Sequence, residues 1–191
     1  MAAIGVLSVQ GAVSEHIDLI RRCGAEALPV KKPADLKRLD GLIIPGGEST
    51  TIGSLMKIYG LNDAITVRHH EGMAVFGTCA GMVILARELL DGYREQPRLA
   101  LMDIIVRRNA FGRQKESFEA PVLVKGIDTP VEGVFIRAPV IVEAGNAVEV
   151  LAAREEGIVA ARQGKLLAVS FHPELTDDLR MHRFFLEMCR A

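Results

Sequence analysis

The chain has 191 residues, with 23 lysines and arginines against 24 acidic residues and a net charge of −1. That balance leaves no electrostatic footprint for wrapping nucleic acid or an anionic bilayer. Hydrophobic residues make up 49% and charged residues 25%, the profile of a chain that buries a core, and the length predicts a single domain spanning residues 1–191. The longest uncharged stretch, residues 72–86, is broken by glycines and falls short of the roughly 20 apolar residues a membrane span needs. The N-terminus lacks a basic region followed by an apolar run and a cleavage site, so a cytoplasmic protein is expected. Three widely spaced cysteines, Cys23, Cys79 and Cys189, suggest neither a disulfide framework nor a zinc cluster.

In chain order, residues 4–9 read as a buried strand, followed by a helix capped by Ser14, carrying Ile17 and Ile20 on one face and ending at Gly24. Strands are predicted at 27–30 and 42–44, the latter closed by Pro45, Gly46 and Gly47, then helices at 51–59 and 61–70. A strand at 73–76 passes through a glycine-flanked turn into a helix at 82–90. This alternation is the signature of a mostly parallel sheet covered by helices. From Met102 the texture turns β-rich, at 102–107, 118–124, 133–137, 140–143, 148–153, 158–162 and 166–171. Turn signals at Gly145-Asn146, Glu156-Gly157 and Gln163-Gly164 predict antiparallel hairpins. A last helix starts after Thr176, with Asp177 and Asp178 in its first turn and Met181, Phe184, Phe185 and Met188 as its apolar repeat.

Three segments could carry chemistry. Gly77-Thr78-Cys79-Ala80-Gly81 lies between a strand and a helix, the layout of a nucleophile elbow, where small neighbours permit a sharp turn and the helix N-terminus favours a thiolate. A buried structural cysteine is the competing reading. His172 and Glu174, at a strand end, are two residues apart and can project to one side of an extended backbone, so the carboxylate could fix the imidazole tautomer while the imidazole activates a thiol. A helix-start histidine beside a solvated glutamate is the alternative. Pro45-Gly46-Gly47-Glu48-Ser49-Thr50-Thr51 places paired glycines after a strand, where backbone N–H groups can approach a ligand, or simply makes a turn with a threonine cap. It is not a phosphate-binding Walker loop, because no Gly-Lys-Ser/Thr follows. His16, His69, His70 and His182 read as surface or helix-terminal residues, Cys23 and Cys189 as core, and Arg107, Arg108, Arg113 and Lys115 as a solvated basic cluster from which one arginine could bind a carboxylate.

Six motifs in order give these segments a common context. They are Gln10-Gly11-Ala12-Val13 with Glu15-His16, the 45–51 segment, the 77–81 elbow, Arg108-Asn109-Ala110-Phe111-Gly112-Arg113-Gln114 with Ser117-Phe118-Glu119, Phe135-Ile136-Arg137-Ala138-Pro139, and Phe171-His172-Pro173-Glu174-Leu175. Over nearly its whole length the chain resembles the glutaminase-subunit family of pyridoxal 5'-phosphate synthases, within the cysteine-dependent class I glutamine amidotransferases. The resemblance implies a flavodoxin-like α/β fold, three-layered around a mostly parallel central sheet, with a C-terminal antiparallel β-rich part.

It also implies a catalytic triad of Cys79, His172 and Glu174, an oxyanion hole from the backbone N–H groups of Gly47 and Ala80, and L-glutamine held by Gly47, Glu48, Ser49, Arg108, Ile136 and Arg137. The reaction implied is glutamine hydrolysis to glutamate and ammonia through a glutamyl thioester, with no metal or bound cofactor. Ammonia would pass to a pyridoxal 5'-phosphate synthase subunit in a hetero-oligomer. A glycine-rich 45–47 segment that could switch peptide orientation on docking predicts low activity in isolation. Competing readings are a glutaminase for another synthase, such as that of imidazole glycerol phosphate, a catalytically silent binding domain, and a thiol peptidase or γ-glutamyl hydrolase. Met82 followed by Val83, where many members carry His or Met and then Gln, weakens an anthranilate or guanylate synthesis role.

Overall fold

The computed structural model describes residues 1–90, 96–111 and 117–190. Arg113 and Lys115 of the basic cluster lie outside the described residues, as do Gly112 and Gln114 of the fourth motif.

The strands at the centre of the molecule are short and, apart from Thr78, carry no polar side chain. β1 (Ala3–Leu7), β3 (Gly41–Ile44), β4 (Ala74–Thr78) and β12 (Leu166–Val169) are almost wholly buried, which requires cover on both faces and suits parallel pairing. With β2 (Glu26–Val30) they run parallel in the order β2-β1-β3-β4-β12. The strand pleat divides their side chains. Leu42, Ile44, Val75 and Ala168 face one cluster together with Ile52, Met56, Leu61, Ile65 and Ile84. These belong to α2 (Ser49–Ile58), α3 (Leu61–His70) and α4 (Ala80–Leu85). Ile43, Phe76, Leu167 and Val169 face the other cluster, with Ile20 of α1 (Val13–Arg22) and Met181, Phe185 and Met188 of α5 (Arg180–Arg190).

Beyond β12 the sheet becomes antiparallel through β11 (Gly157–Gln163) and β9 (Val140–Ala144) to β6 (Met102–Arg107), and ends with β5 (Ala86–Leu89) parallel to β6. β10 (Glu149–Arg154) pairs with β11 off this path, so ten of the described strands form one sheet, while β7 (Ser117–Val122) and β8 (Val131–Ile136) form a separate antiparallel pair. Among the described residues no helix is long and apolar enough to cross a membrane.

Several expected elements change. Ser14 does not cap α1: the helix begins at Val13 without a side-chain cap, and the Ser14 hydroxyl donates to Glu15. The helix expected over 82–90 ends at Leu85, because the chain beyond it joins the exposed edge of β6 as β5, and that pairing overrides the helical preference of Arg-Glu-Leu-Leu. Gly145-Asn146 makes a turn, with the Val148 N–H donating to the Gly145 carbonyl, but not a β9–β10 hairpin, since β9 pairs with β6 and β11. Asp177 and Asp178 precede α5, and the Asp178 carboxylate accepts from the Arg180 amide and guanidinium.

α4 packs against β3 so closely that a Cβ at Gly81 would stand 2.1 Å from the Ile44 carbonyl oxygen, a backbone atom that cannot rotate away. Gly81→Ala is therefore expected to cost about 1–3 kcal/mol, lowering the melting temperature by roughly 3–10 °C in a thermal unfolding scan, whereas Val67→Ala on the exposed face of α3 should change it little. An unchanged melting temperature for Gly81→Ala would show that the α4–β3 contact is looser than described.

Candidate active site

Three neighbouring strands deliver the three sequence segments to one edge. β3 runs parallel to β4 in the register Ile44↔Gly77, and β4 runs parallel to β12 in the register Thr78↔Val169. The loops leaving their C-terminal ends, 45–48, 79–80 and 170–174, therefore emerge side by side, where open α/β sheets place their ligand crevices. The Cys79 amide donates to the Val169 carbonyl at 2.8 Å, extending the β4–β12 pairing to the thiol-bearing residue itself.

Cys79 sits at φ 48°, ψ −102°, a conformation L-residues rarely adopt, immediately before α4. The turn closes because its flanks are glycines, a Cβ at Gly77 falling 2.5 Å from the Gly81 backbone. The thiol is nearly buried, with Sγ 3.9 Å from the Ile136 carbonyl, and it interacts with the His172 ring. The Ala80 amide, at the first position of α4, has no acceptor within the helix and is free to serve an anion.

His172 is held from three sides. Its amide donates to the Val134 carbonyl of β8 at 2.8 Å, and its ring lies over Gly46, where a Cβ would come within 2.3 Å of Cε1. Its Nδ1 lies 2.8 Å from Glu174 Oε1, both side chains being almost excluded from water. The two do not share an extended backbone as expected. Pro173–Leu175 is a 3₁₀ turn that starts at His172 and folds the carboxylate back onto the ring. Burial alone would depress the histidine, but the hydrogen bonds and negative charges of Cys79 and Glu174 outweigh it and push its pKa up to about 10. Glu174 stays below the usual carboxylate range: desolvation would raise it, and His16 and His172 more than offset that.

These groups open into a cavity of about 370 Å³ whose lining includes Gln10, Gly47, Glu48, Ser49, Cys79, Ala80, Arg108, Ile136, Arg137 and His172. All the site residues expected from sequence thus line it, apart from Glu174, which lies behind the histidine. The Glu48 side chain faces its own helix. It accepts from the Thr50 and Thr51 amides and the Thr51 hydroxyl, so Glu48 rather than a threonine caps α2 and offers the cavity its backbone. Arg108 donates to the buried Gln96 at 3.3 Å, and the Ala110 amide bonds the Ala138 carbonyl, tying the two arginine-bearing segments together. Among the described residues the non-glycine positions at positive φ are Cys79, Ala100, Asn109 and Arg137, and three of these four line the cavity, so backbone strain is concentrated there. A lining that combines a thiol with two arginines suits a small molecule that carries both a carboxylate and an electrophilic carbon. Among the described residues no group of three or more His, Cys, Asp or Glu side chains could hold a metal ion.

Sequence reasoning missed three contributors. Gln10, in the middle of the loop between β1 and α1, accepts from the Glu48 amide through Oε1 at 2.9 Å and covers Gly47. His16 and His182, expected at the surface, are completely buried behind Glu174. The signal was present: His16 shares a helical face with Leu19 and Ile20, and His182 with Phe185 and Leu186. Cys23, the residue that ends α1, and Cys189 in α5 are partly buried and do not line the cavity, Cys189 with its thiol pushed up to about 12 by burial.

Two pH effects follow with opposite signs. His172 titrates higher folded than unfolded, so its contribution is complete below pH 6.5 and is lost as pH rises through about 10. Burial lowers His182 to about 3, so its contribution is complete above pH 6.5 and is lost as pH falls toward 3. His182 alone is expected to remove about 2 kcal/mol of stability between pH 7 and pH 5. Denaturant unfolding of wild type and His182→Gln at both values checks this: the variant should show a flatter dependence, and parallel curves would contradict it.

Residues 6–191 match the model of the SNO glutamine amidotransferase family. The chain is 58% identical to the pyridoxal 5'-phosphate synthase subunit PdxT of Niallia circulans, over 98% of this chain and 97% of that one. It is 54% identical to the protein of the same name from Streptomyces coelicolor, over 98% and 94%. A solved glutamine amidotransferase structure superposes with a TM-score of 0.94 at 52% identity, covering 98% of this chain and 99% of the other. A chain of PurLQS from Thermotoga maritima shares the fold with a TM-score of 0.68 at 14% identity. The chain belongs to the SNO glutamine amidotransferase family.

Proposed function

We propose that this chain, as one domain, is the glutaminase subunit of a pyridoxal 5'-phosphate synthase, hydrolysing L-glutamine to L-glutamate and ammonia and passing the ammonia to a synthase subunit in a hetero-oligomer. The observation that carries the reading is a strained, nearly buried Cys79 that shares a cavity lining with two arginines and with His172, whose Nδ1 is paired with Glu174. The name shared by the relatives, pyridoxal 5'-phosphate synthase subunit, supports the choice of synthase.

The geometry suits the chemistry step by step. Cys79 Sγ attacks the side-chain amide carbon of glutamine, and negative charge develops on the amide oxygen, where the N–H groups of Ala80 and Gly47 would receive it. His172, which takes the proton from the Cys79 thiol, gives it to the departing ammonia, leaving a glutamyl thioester. The neutral ring then takes a proton from water, whose oxygen attacks the thioester carbon and releases glutamate and the Cys79 sulfur. Glu174, ionised and bonded to Nδ1, holds Nε2 toward the reacting atoms throughout. Arg108 and Arg137 would pair with the α-carboxylate, and Ser49, Ile136 and the backbone of Glu48 would frame the rest of the substrate.

The Glu48 amide is engaged by Gln10, so the 46–48 backbone is held by the first loop as well as by its own strand. Docking of the synthase subunit onto this edge would then set the peptide orientation, and activity in isolation would be low.

Ammonia release from L-glutamine should rise strongly when the synthase subunit is added and fall by about 10⁴-fold or more in Cys79→Ala. Release that survives in Cys79→Ala would overturn the thiol mechanism, and full turnover without the partner would overturn the gating. Arg108→Ala should raise KM for glutamine about tenfold or more with a smaller effect on kcat, as expected for loss of a carboxylate partner. An unchanged KM would remove Arg108 from the binding set.

A further inference from the structure

We propose that His16, fixed in one tautomer by His182, is a positioning residue that donates to the second carboxylate oxygen of Glu174 and so sets the orientation of His172. The inference rests on the thiol–imidazole–carboxylate reading above and extends it inward by two residues.

Glu174 presents Oε1 to His172, while Oε2 is buried and makes no hydrogen bond of good geometry. A carboxylate oxygen excluded from water needs a donor, and His16 Nε2 stands 3.4 Å from it, with both side chains fully buried. The same Nε2 lies 3.4 Å from the Thr78 hydroxyl, on the last residue of β4 before the elbow. On its other side His16 Nδ1 is 2.9 Å from His182 Nε2. One proton must lie between those two nitrogens, and the surroundings decide which carries it.

If His16 carried it on Nδ1, its Nε2 lone pair would face the Glu174 carboxylate, and His182 would be left with a buried Nδ1–H that has no acceptor. If His182 Nε2 carries it, His16 Nε2–H points at Glu174, and the atom without a partner is only the Nδ1 lone pair of His182. The second arrangement removes a repulsion and an orphaned donor together, so it prevails. Both rings must be neutral for it. The groups facing His16 are Glu174, His172, Thr78 and His182, with Glu15 on its own helix, and those facing His182 are His16, Glu174 and Asp178. Burial dominates over these charges and lowers both histidines.

A neutral donor suits the role better than a cation. It satisfies Oε2 without a positive charge that would compete with the His172 imidazolium for the carboxylate. α1 and α5 thereby reach the thiol through an unbroken line of polar contacts, His182, His16, Glu174 and His172.

The test compares His16→Leu, His16→Gln and His182→Leu with wild type and Cys79→Ala, assaying glutamine hydrolysis with the synthase subunit present across pH, alongside melting temperatures. His16→Leu is expected to lower kcat about tenfold or more, to change KM by less than about twofold, and to move the acidic limb of the kcat/KM profile to higher pH, because Glu174 then protonates more easily. His16→Gln, whose amide can donate to Oε2, should restore most of kcat and the wild-type limb. His182→Leu should shift the limb in the same direction as His16→Leu by a smaller amount, and it carries the test if His16→Leu does not fold. A wild-type pH profile and kcat in the leucine variants, or a rate loss that tracks melting temperature without a shift of the limb, would mark the histidines as packing residues and overturn the inference. Activity remaining in Cys79→Ala would instead overturn the thiol reading on which it rests.

Discussion

The parallel pairing of β4 with β12 is the constraint on which the site depends. The register Thr78↔Val169 ends both strands at the same level, and one more backbone hydrogen bond, from the Cys79 amide to the Val169 carbonyl, fixes the elbow to the strand that leads into His172. Residues 93 positions apart in the chain thus meet because their strands are neighbours of equal reach. A one-residue slip would turn every side chain of β12 to the opposite face, exchanging Leu167 and Val169 for Leu166 and Ala168 in the two cores, so the packing that stabilises the sheet also fixes the catalytic geometry.

Small residues and strain complete the arrangement. Gly81 lets α4 rest on the end of β3, Gly46 admits the His172 ring, and Gly11, at φ +112°, lets the first loop pass against the Gly46 carbonyl. Each contact is between backbone and backbone or backbone and ring, where a single methyl group would intrude. The positive φ angles of Cys79, Asn109 and Arg137 fall just beyond the C-terminal ends of β4, β6 and β8, so each strained residue is anchored by a paired strand before it.

Much of this was legible in the sequence because the parts are local. Strand 102–107, helix 61–70 and the end of β3 follow from apolar runs punctuated by glycine and proline, while β4 runs on past the expected end at Phe76 to Thr78; the elbow and the 45–51 turn lie in contiguous residues. Distant partners decide the remainder. β5 exists because β6 has an edge to offer, and the 3₁₀ turn at Pro173 forms where an extended segment was expected, yet still joins His172 to Glu174. His16 and His182 were misplaced because a histidine on an amphipathic helix was weighed by its polarity, while its spacing to Leu19 and Ile20, or to Phe185 and Leu186, already placed it inside.

The account's central claim is that one of three thiols is brought to reactivity by its place on this sheet edge. The most direct measurement is peptide mapping by mass spectrometry after exposure of the chain, with its synthase partner, to a glutamine analogue bearing an electrophilic group in place of the side-chain amide. The account predicts a covalent adduct on Cys79 alone, suppressed by excess L-glutamine, with Cys23 and Cys189 unmodified. No adduct, or labelling of Cys23 or Cys189 in its place, would contradict it.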